Sequence, residues 1–264
     1  MLMKLLLAAL LVFLPNFHPA TPLNQGHSHN DYWRPHPLYD ALQLGFKSVE
    51  ADVFLVDTTL QVGHLRTDLR RNKTLQSLYL DPLRQLQQAH GGCYAQPAEL
   101  WLYVDFKNDG PATYARLRQV LARYRELLST PGHPRPAGVR VVLTGGYPRA
   151  EVLAAPEALV YLDGQLADLG PAQAAHICAV NGDWATYFKW NGLGPQPAAE
   201  AARLRAWNDE AQRTGQKIRF WNTPAATPAQ RRAVWAALLR YPAVLVGADE
   251  LAELKQVIDA QAKL

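Results

Sequence analysis

Cysteine is scarce in this chain. Only Cys93 and Cys178 occur among 264 residues, which excludes a disulfide-stapled scaffold and leaves too few thiolates for a cysteine-built metal centre. The two lie far apart in sequence and nothing shows proximity, so a disulfide between them, which an oxidising compartment would permit, stays open. Charge of one sign is also lacking: 27 Lys and Arg stand against 23 Asp and Glu, a formal +4. The densest basic stretch, Arg66 to Lys73, is interrupted by Asp68. It reads as a solvated loop, so no nucleic-acid partner is expected. Beyond Leu14 there is no apolar run long enough to span a bilayer. No repeat, linker or low-complexity segment divides the chain.

The one long apolar run is "MLMKLLLAALLVFLP", with an early cation at Lys4 and about half the ~20 residues needed to cross a bilayer. A polar stretch and the small residue Ala20 follow. This pattern reads as a signal peptide over residues 1–20, with an uncleaved anchor as the alternative. The domain then runs over residues 21–264, in a secreted or periplasmic protein. No cysteine ends the run, so lipoprotein processing has no acceptor.

What is present is core material: 48% of residues are hydrophobic, with seven Trp and eleven Tyr. Short apolar runs alternate with longer amphipathic ones. Strands are expected at Leu23–His29, Ser48–Val56, Leu60–His64, Leu100–Lys107, Val139–Gly145, Leu159–Asp163, Ile177–Asn181, Lys217–Asn222 and Ala243–Gly247. The clearest helices are Thr74–His90, Ala112–Leu128, Ala198–Thr214 and Pro228–Arg240. Thr227-Pro228 reads as an N-cap and first-turn proline, and Gly215 as a helix stop. With Leu60–His64 taken as a hairpin partner of the second strand, eight strands remain. That predicts an α/β chain folded as an irregular (β/α)8 TIM barrel, with short helical layers between Gly146 and Ile177.

Such a barrel builds its site at the C-terminal strand ends. There the first strand supplies His27, His29 and Asn30 from "GHSHNDYW", and "SVEADVFLV" sets Glu50 and Asp52 on one face. "LQVGH" ends in His64, and "LYVDFK" sets Asp105 and Lys107 on one face. Carboxylates inside an apolar strand need a strong partner. Glu50, Asp52 and Asp105 are hard oxygen ligands that suit one divalent cation, Ca2+ or Mg2+, better than zinc. Two histidines beside such an ion can serve as general base and acid, and Lys107 can face a developing anion. Farther on, Trp221 in "KIRFWNTP" is a candidate substrate-binding aromatic. "DWATYFKW" gathers Trp184, Tyr187 and Trp190, which read equally as core or substrate wall. Asp249 reads as a helix N-cap or a site residue.

The run of "SHNDYW", "VEADVFL", "LQVGH" and "VDFK" resembles the PI-PLC-like phosphodiesterase superfamily, which includes phospholipases C, glycerophosphodiester phosphodiesterases and sphingomyelinases D. The nearest branch carries a HSHNDYWR motif and includes the altered inheritance of mitochondria protein 6 group. The resemblance implies that His29 is the first catalytic histidine and His64 the second. By it Asn30 joins Glu50, Asp52 and Asp105 as a metal ligand, and Lys107 faces the phosphoryl group. A second alignment makes His27 the catalyst. The H-R-G and P-E-N motifs of glycerophosphodiesterases are absent, and Asn30 follows His29 where arginine would stand. The implied activity is metal-assisted cleavage of a small phosphodiester or phospholipid head group by a monomer. An inactive metal-containing barrel acting as a secreted binding module is the competing reading. A zinc hydrolase of another barrel family is a third, and it needs more histidine ligands than the chain places. No exposed amphipathic membrane helix is evident, so contact with a lipid surface stays open.

Overall fold

The protein is described by a computed structural model over residues 17–262. Its strands are β1 Leu23–Ser28, β2 Phe46–Val56, β3 Thr59–Val62, β4 Leu100–Phe106, β5 Val139–Gly145, β6 Tyr161–Gln165, β7 Ile177–Asp183, β8 Lys217–Trp221 and β9 Val244–Ala248. The helices are α1 Tyr39–Gln43, α2 Asp81–His90, α3 Gly110–Leu121, α4 Arg149–Leu153, α5 Trp184–Tyr187, α6 Ala198–Thr214, α7 Pro228–Leu238 and α8 Leu251–Gln261. Strands β1, β2 and β4 to β9 pair in parallel, and the β1–β2 pairing closes them into an eight-stranded barrel. The expected (β/α)8 architecture is what the chain adopts. The hairpin reading also holds, since β3 runs antiparallel on the outer half of β2, pairing Val53 with Val62.

Alternation along each strand sorts two layers. In β4, Leu100, Leu102 and Val104 pack outward in the large core under the helices. Tyr103 and the flanking Trp101 turn inward with Val142, Tyr161, Cys178, Ala179 and Leu245. Both faces are covered, which is why the strands read as nearly continuous apolar runs. The inward positions closer to the mouth are polar: Glu50, Asp52, Asp105, Asp163 and Arg219. Cys93 and Cys178 are free and buried.

Two segments depart from the expected pattern. The helix expected to reach Leu128 stops at Leu121, and the chain turns so that Tyr124 OH donates to Asp81 at 2.7 Å. Leu128 then bridges to Val139 at the foot of β5. Between β5 and β7 the helical layer shrinks to α4 and a single 3-10 turn, Leu166–Asp168. The leader expected over residues 1–20 falls mostly on residues 1–16, outside the described residues. Phe17 packs edge-on to Tyr39, ring centroids 6.0 Å apart. The C=O of Ala20 accepts from the N–H of Ala95 at 3.1 Å.

The helix punctuation is where the residues put it. Gly215 ends α6 in the left-handed region, φ 74°. Thr227 Oγ1 accepts from the N–H of Gln230 at 3.2 Å, with Pro228 opening α7. Thr227→Ala is therefore expected to cost about 1 kcal/mol in urea denaturation. An unchanged midpoint would show that the first turn of α7 is held by packing alone.

Candidate active site

The strand register assembles the acidic cluster. Asp52 and Asp105 are paired positions on adjacent parallel strands, and Glu50 lies one inward step below Asp52, opposite Tyr103. The carboxylates of Glu50, Asp52 and Asp105 offer oxygens all within 4.8 Å of one another. These three could hold a metal ion. Lys107 Nζ lies 2.9 Å from Asp52 Oδ2 and 2.8 Å from Asp105 Oδ2. Burial pushes Asp105 up against the pull of Lys107, with Asp52 and Glu50 adding to the push. One ammonium therefore does not neutralise the cluster.

Below it lies an ion network that sequence reasoning missed. Arg219, inside the barrel on β8, donates to Asp163 Oδ2 at 2.9 Å and stands 3.7 Å from Glu50 Oε2. Burial opposes the charge on Glu50, but Arg219 and then His27 outweigh it and hold the carboxylate well below its usual range. Burial likewise pushes Asp163 up, against Arg219. Asp163 Oδ1 and Arg219 Nε are buried with no partner in the structure. A signal for Arg219 was present: it is two residues before Trp221 in an apolar strand, where a charge needs a partner as much as Glu50 does.

The two histidines of the first motif separate sharply. His27 is fully buried, with Nδ1 2.7 Å from Ser48 Oγ and Nε2 3.1 Å from Glu50 Oε2. Burial drives its pKa down to about 4 although Glu50 pulls the other way. Its ring meets Tyr103 edge-on at 5.0 Å. His27 thus lies inside the wall, its ring held between Ser48 and Glu50.

His29 is at the mouth, its side chain 44% exposed, with Nδ1 2.9 Å from Asp249 Oδ1. Burial opposes its protonated form, yet Asp249 and Glu50 outweigh that and raise its pKa. Asp249 does not cap α8, since its carboxylate pairs with His29 and the N-cap position is Glu250. Arg34 ties this corner shut, donating through Nη2 to the His29 carbonyl at 3.0 Å and through Nη1 to the Asp249 carbonyl.

The rest of the motif packs around that corner. Asn30 adopts φ 47°, a left-handed turn that asparagine tolerates. Its Oδ1 is 2.7 Å from Tyr32 OH, which is 2.8 Å from Asp52 Oδ2. Asn30 therefore stands one hydroxyl away from the acidic cluster. Asp31 is buried and accepts from Ser28 Oγ at 2.7 Å, the Leu38 N–H at 2.6 Å and Tyr79 OH at 3.1 Å. These bonds fix the loop and hold Leu38 at φ 69°.

His64 follows β3, also with a 44% exposed side chain, and its Nδ1 is 3.0 Å from Asp52 Oδ2. Trp33 meets it edge-on at 5.5 Å. His29 and His64 share one geometry: each is half exposed, with Nδ1 on a carboxylate. Neither Nε2 has a hydrogen-bond partner among the described residues. A cavity of about 510 Å3 opens beside the cluster, lined by His29, Glu50, Asp105, Asp163, Arg219 and Trp221. Trp221 is 45% exposed at the end of β8. Trp184 and Trp190 are core residues instead, Trp184 stacking on Phe188 at 4.3 Å. Tyr187 packs edge-on to Trp207.

Residues 18–157 match the family model described as an AIM6-like phosphodiesterase domain. That stretch contains His27, His29, Asn30, Glu50, Asp52, His64, Asp105 and Lys107. The chain is 30% identical over 257 residues to an altered inheritance of mitochondria protein 6 homolog of Arthroderma benhamiae, covering 85% of this chain and 81% of that one. It is 38% identical over 186 residues to altered inheritance of mitochondria protein 6 of Eremothecium gossypii, covering 60% of this chain and 47% of that one. The Saccharomyces cerevisiae protein of that name is 35% identical over 149 residues, 46% of this chain and 37% of its own. The chain thus spans four-fifths of the first relative but less than half of the other two. The names correct one expectation. They point to mitochondria and away from export, so the secreted or periplasmic reading is withdrawn.

Proposed function

Because the chain belongs to the AIM6-like phosphodiesterase family, we propose that it is a metal-dependent phosphodiesterase. Its substrate is of the glycerophospho or phosphoinositide type, cleaved by histidine acid–base chemistry. The observation that carries this reading is the pair of half-exposed imidazoles, His29 and His64, each held through Nδ1 by a carboxylate beside a three-carboxylate cluster.

The donor set fits a hard divalent cation. Among the described residues Glu50, Asp52, Asp105 and Asp163 pair with two permanently cationic side chains, Lys107 and Arg219, beside the imidazoles of His27 and His64. The surplus is two negative charges, in a site with oxygen donors and no thiolate. Glu50, Asp52 and Asp105 would hold Ca2+ or Mg2+, which supplies positive charge to the phosphoryl oxygens when bound. Lys107 adds charge from the protein side. One imidazole Nε2 takes the proton of the attacking hydroxyl as its oxygen bonds to phosphorus. The other gives a proton to the departing oxygen as the second phosphorus–oxygen bond breaks. A cyclic phosphate formed this way can be released, or opened by water with the two roles reversed. Asp249 and Asp52 fix the tautomer and orientation of the two rings, while His27 positions Glu50. Trp221 gives the head group an apolar face.

The test is turnover on a panel of glycerophosphodiesters, phosphoinositides and lysophospholipids, before and after chelation and with Ca2+ or Mg2+ restored. Hydrolysis lost on chelation and regained with one of the two ions is expected. Asp105→Asn should weaken that ion's apparent affinity at least about tenfold, since it removes one ligand from a shared set. Folded protein inert on the whole panel with either ion would instead mark a non-catalytic barrel.

A further inference from the structure

The chain's small positive surplus is not spread evenly. The loop from Gly63 to Lys73, at the barrel mouth, carries Arg66, Arg70, Arg71 and Lys73 against a single carboxylate, Asp68. Four cations less one acid leave +3 of the formal +4. All four are exposed, and none has an ion-pair partner among the described residues. Asp68 is turned back into its own loop, accepting from the Leu65 N–H at 2.8 Å. Arg66 lies over the Phe54 ring, 5.4 Å from its centroid, on the β2–β3 hairpin. Asp57 is exposed at that hairpin's turn and tempers the charge without reversing it.

The same edge exposes two large apolar side chains. Leu65 is 57% exposed and Trp33 is 56% exposed, although most of the chain's large apolar residues are buried. Trp33 meets the ring of His64, the immediate neighbour of Leu65, so both stand at one edge of the mouth. An exposed indole and leucine on a loop that carries four cations without ion-pair partners match a lipid–water interface. The apolar groups enter the head-group boundary while the cations meet acidic lipid. A soluble acidic partner or a nucleic acid would answer the charge but give Leu65 no apolar medium. No helix of the described residues is long and apolar enough to cross a membrane.

We propose that the loop Gly63–Lys73, with Trp33 beside it, docks the barrel mouth on an anionic lipid surface. Docking there turns the barrel mouth, with the cavity lined by His29, Glu50 and Asp105, toward the head groups. This goes beyond the phosphodiesterase reading: the docking side chains are Trp33, Leu65, Arg66, Arg70, Arg71 and Lys73, and His64 within the loop belongs to the catalytic site instead.

The experiment is flotation of the full chain with vesicles of phosphatidylcholine alone and with about 30 mol% phosphatidylglycerol, at ~0.1 M salt. The parent should partition onto the anionic vesicles at least about tenfold more strongly, and the difference should shrink in high salt. Arg71→Glu with Lys73→Glu, two side chains that hold nothing in the fold, should lower it roughly tenfold or more. Leu65→Ser should lower it several-fold at unchanged charge. Equal partition onto both vesicles, or variants that float like the parent, overturns the proposal. So does binding of a duplex oligonucleotide as tight as that of anionic vesicles, with Leu65→Ser silent in both. Partition requires no turnover, so a protein that floats yet hydrolyses nothing overturns the catalytic reading alone. Turnover of a soluble short-chain phosphodiester by the Arg71/Lys73 variant should match the parent.

Discussion

His64→Ala is expected to lose phosphodiester turnover by about 10³-fold while the barrel stays folded. The ring is half exposed at the mouth, so its removal opens no core cavity. Asp52 Oδ2 keeps Tyr32 OH at 2.8 Å and Lys107 Nζ at 2.9 Å, so the carboxylate is not left unpaired. Stability should therefore move by less than about 1 kcal/mol. His27→Ala serves as the contrast. That ring is wholly buried between Ser48, Glu50 and Tyr103, so its loss should appear first as a lower melting temperature. Turnover by His64→Ala within a few-fold of the parent would remove His64 from the chemistry.

The largest stability effect should come from Arg219→Met. Burial opposes the charge on Arg219, but Glu50 and Asp163, with a smaller push from Tyr103, outweigh that and raise its pKa. Without the guanidinium, two carboxylates are left buried in the barrel with one cation fewer. Breaking a buried pair from one side costs about 3–5 kcal/mol, more than a core methionine of similar length returns. Adding Asp163→Asn should recover part of the loss, because it removes one of the two stranded charges. Urea denaturation of the single and double variants measures both numbers. A cost under about 1 kcal/mol for Arg219→Met would mean that water already solvates the network.

The barrel was legible because its strands are short, β-branched and covered on both faces. All eight, and the β3 hairpin, lie within a few residues of their expected bounds. The acidic cluster was legible for a related reason. Glu50 and Asp52 alternate onto one face of β2, Asp105 and Lys107 onto one face of β4, and parallel register sets Asp52 beside Asp105. Sequence gave less about pairs made across the ring. Asp163 meets Arg219 across β7, one inward step apart along the barrel, and no local pattern encodes that contact. Asp249 meets His29 across the β1–β9 seam, 220 residues apart, and local reading left it open as a helix cap. Between His27 and His29 the sequence favoured His29 only through the resemblance, not through any local pattern. Both precede the same turn, and one residue at the strand end decides which ring enters the wall.

The most direct test of the central claim is phosphorus NMR of a soluble glycerophosphodiester incubated with the parent, with chelated parent and with His64→Ala. The account predicts a cyclic phosphate or phosphomonoester signal from the metal-loaded parent only. Product from the chelated protein or from His64→Ala at the parent's rate would contradict it, as would no product from the loaded parent on any phosphodiester.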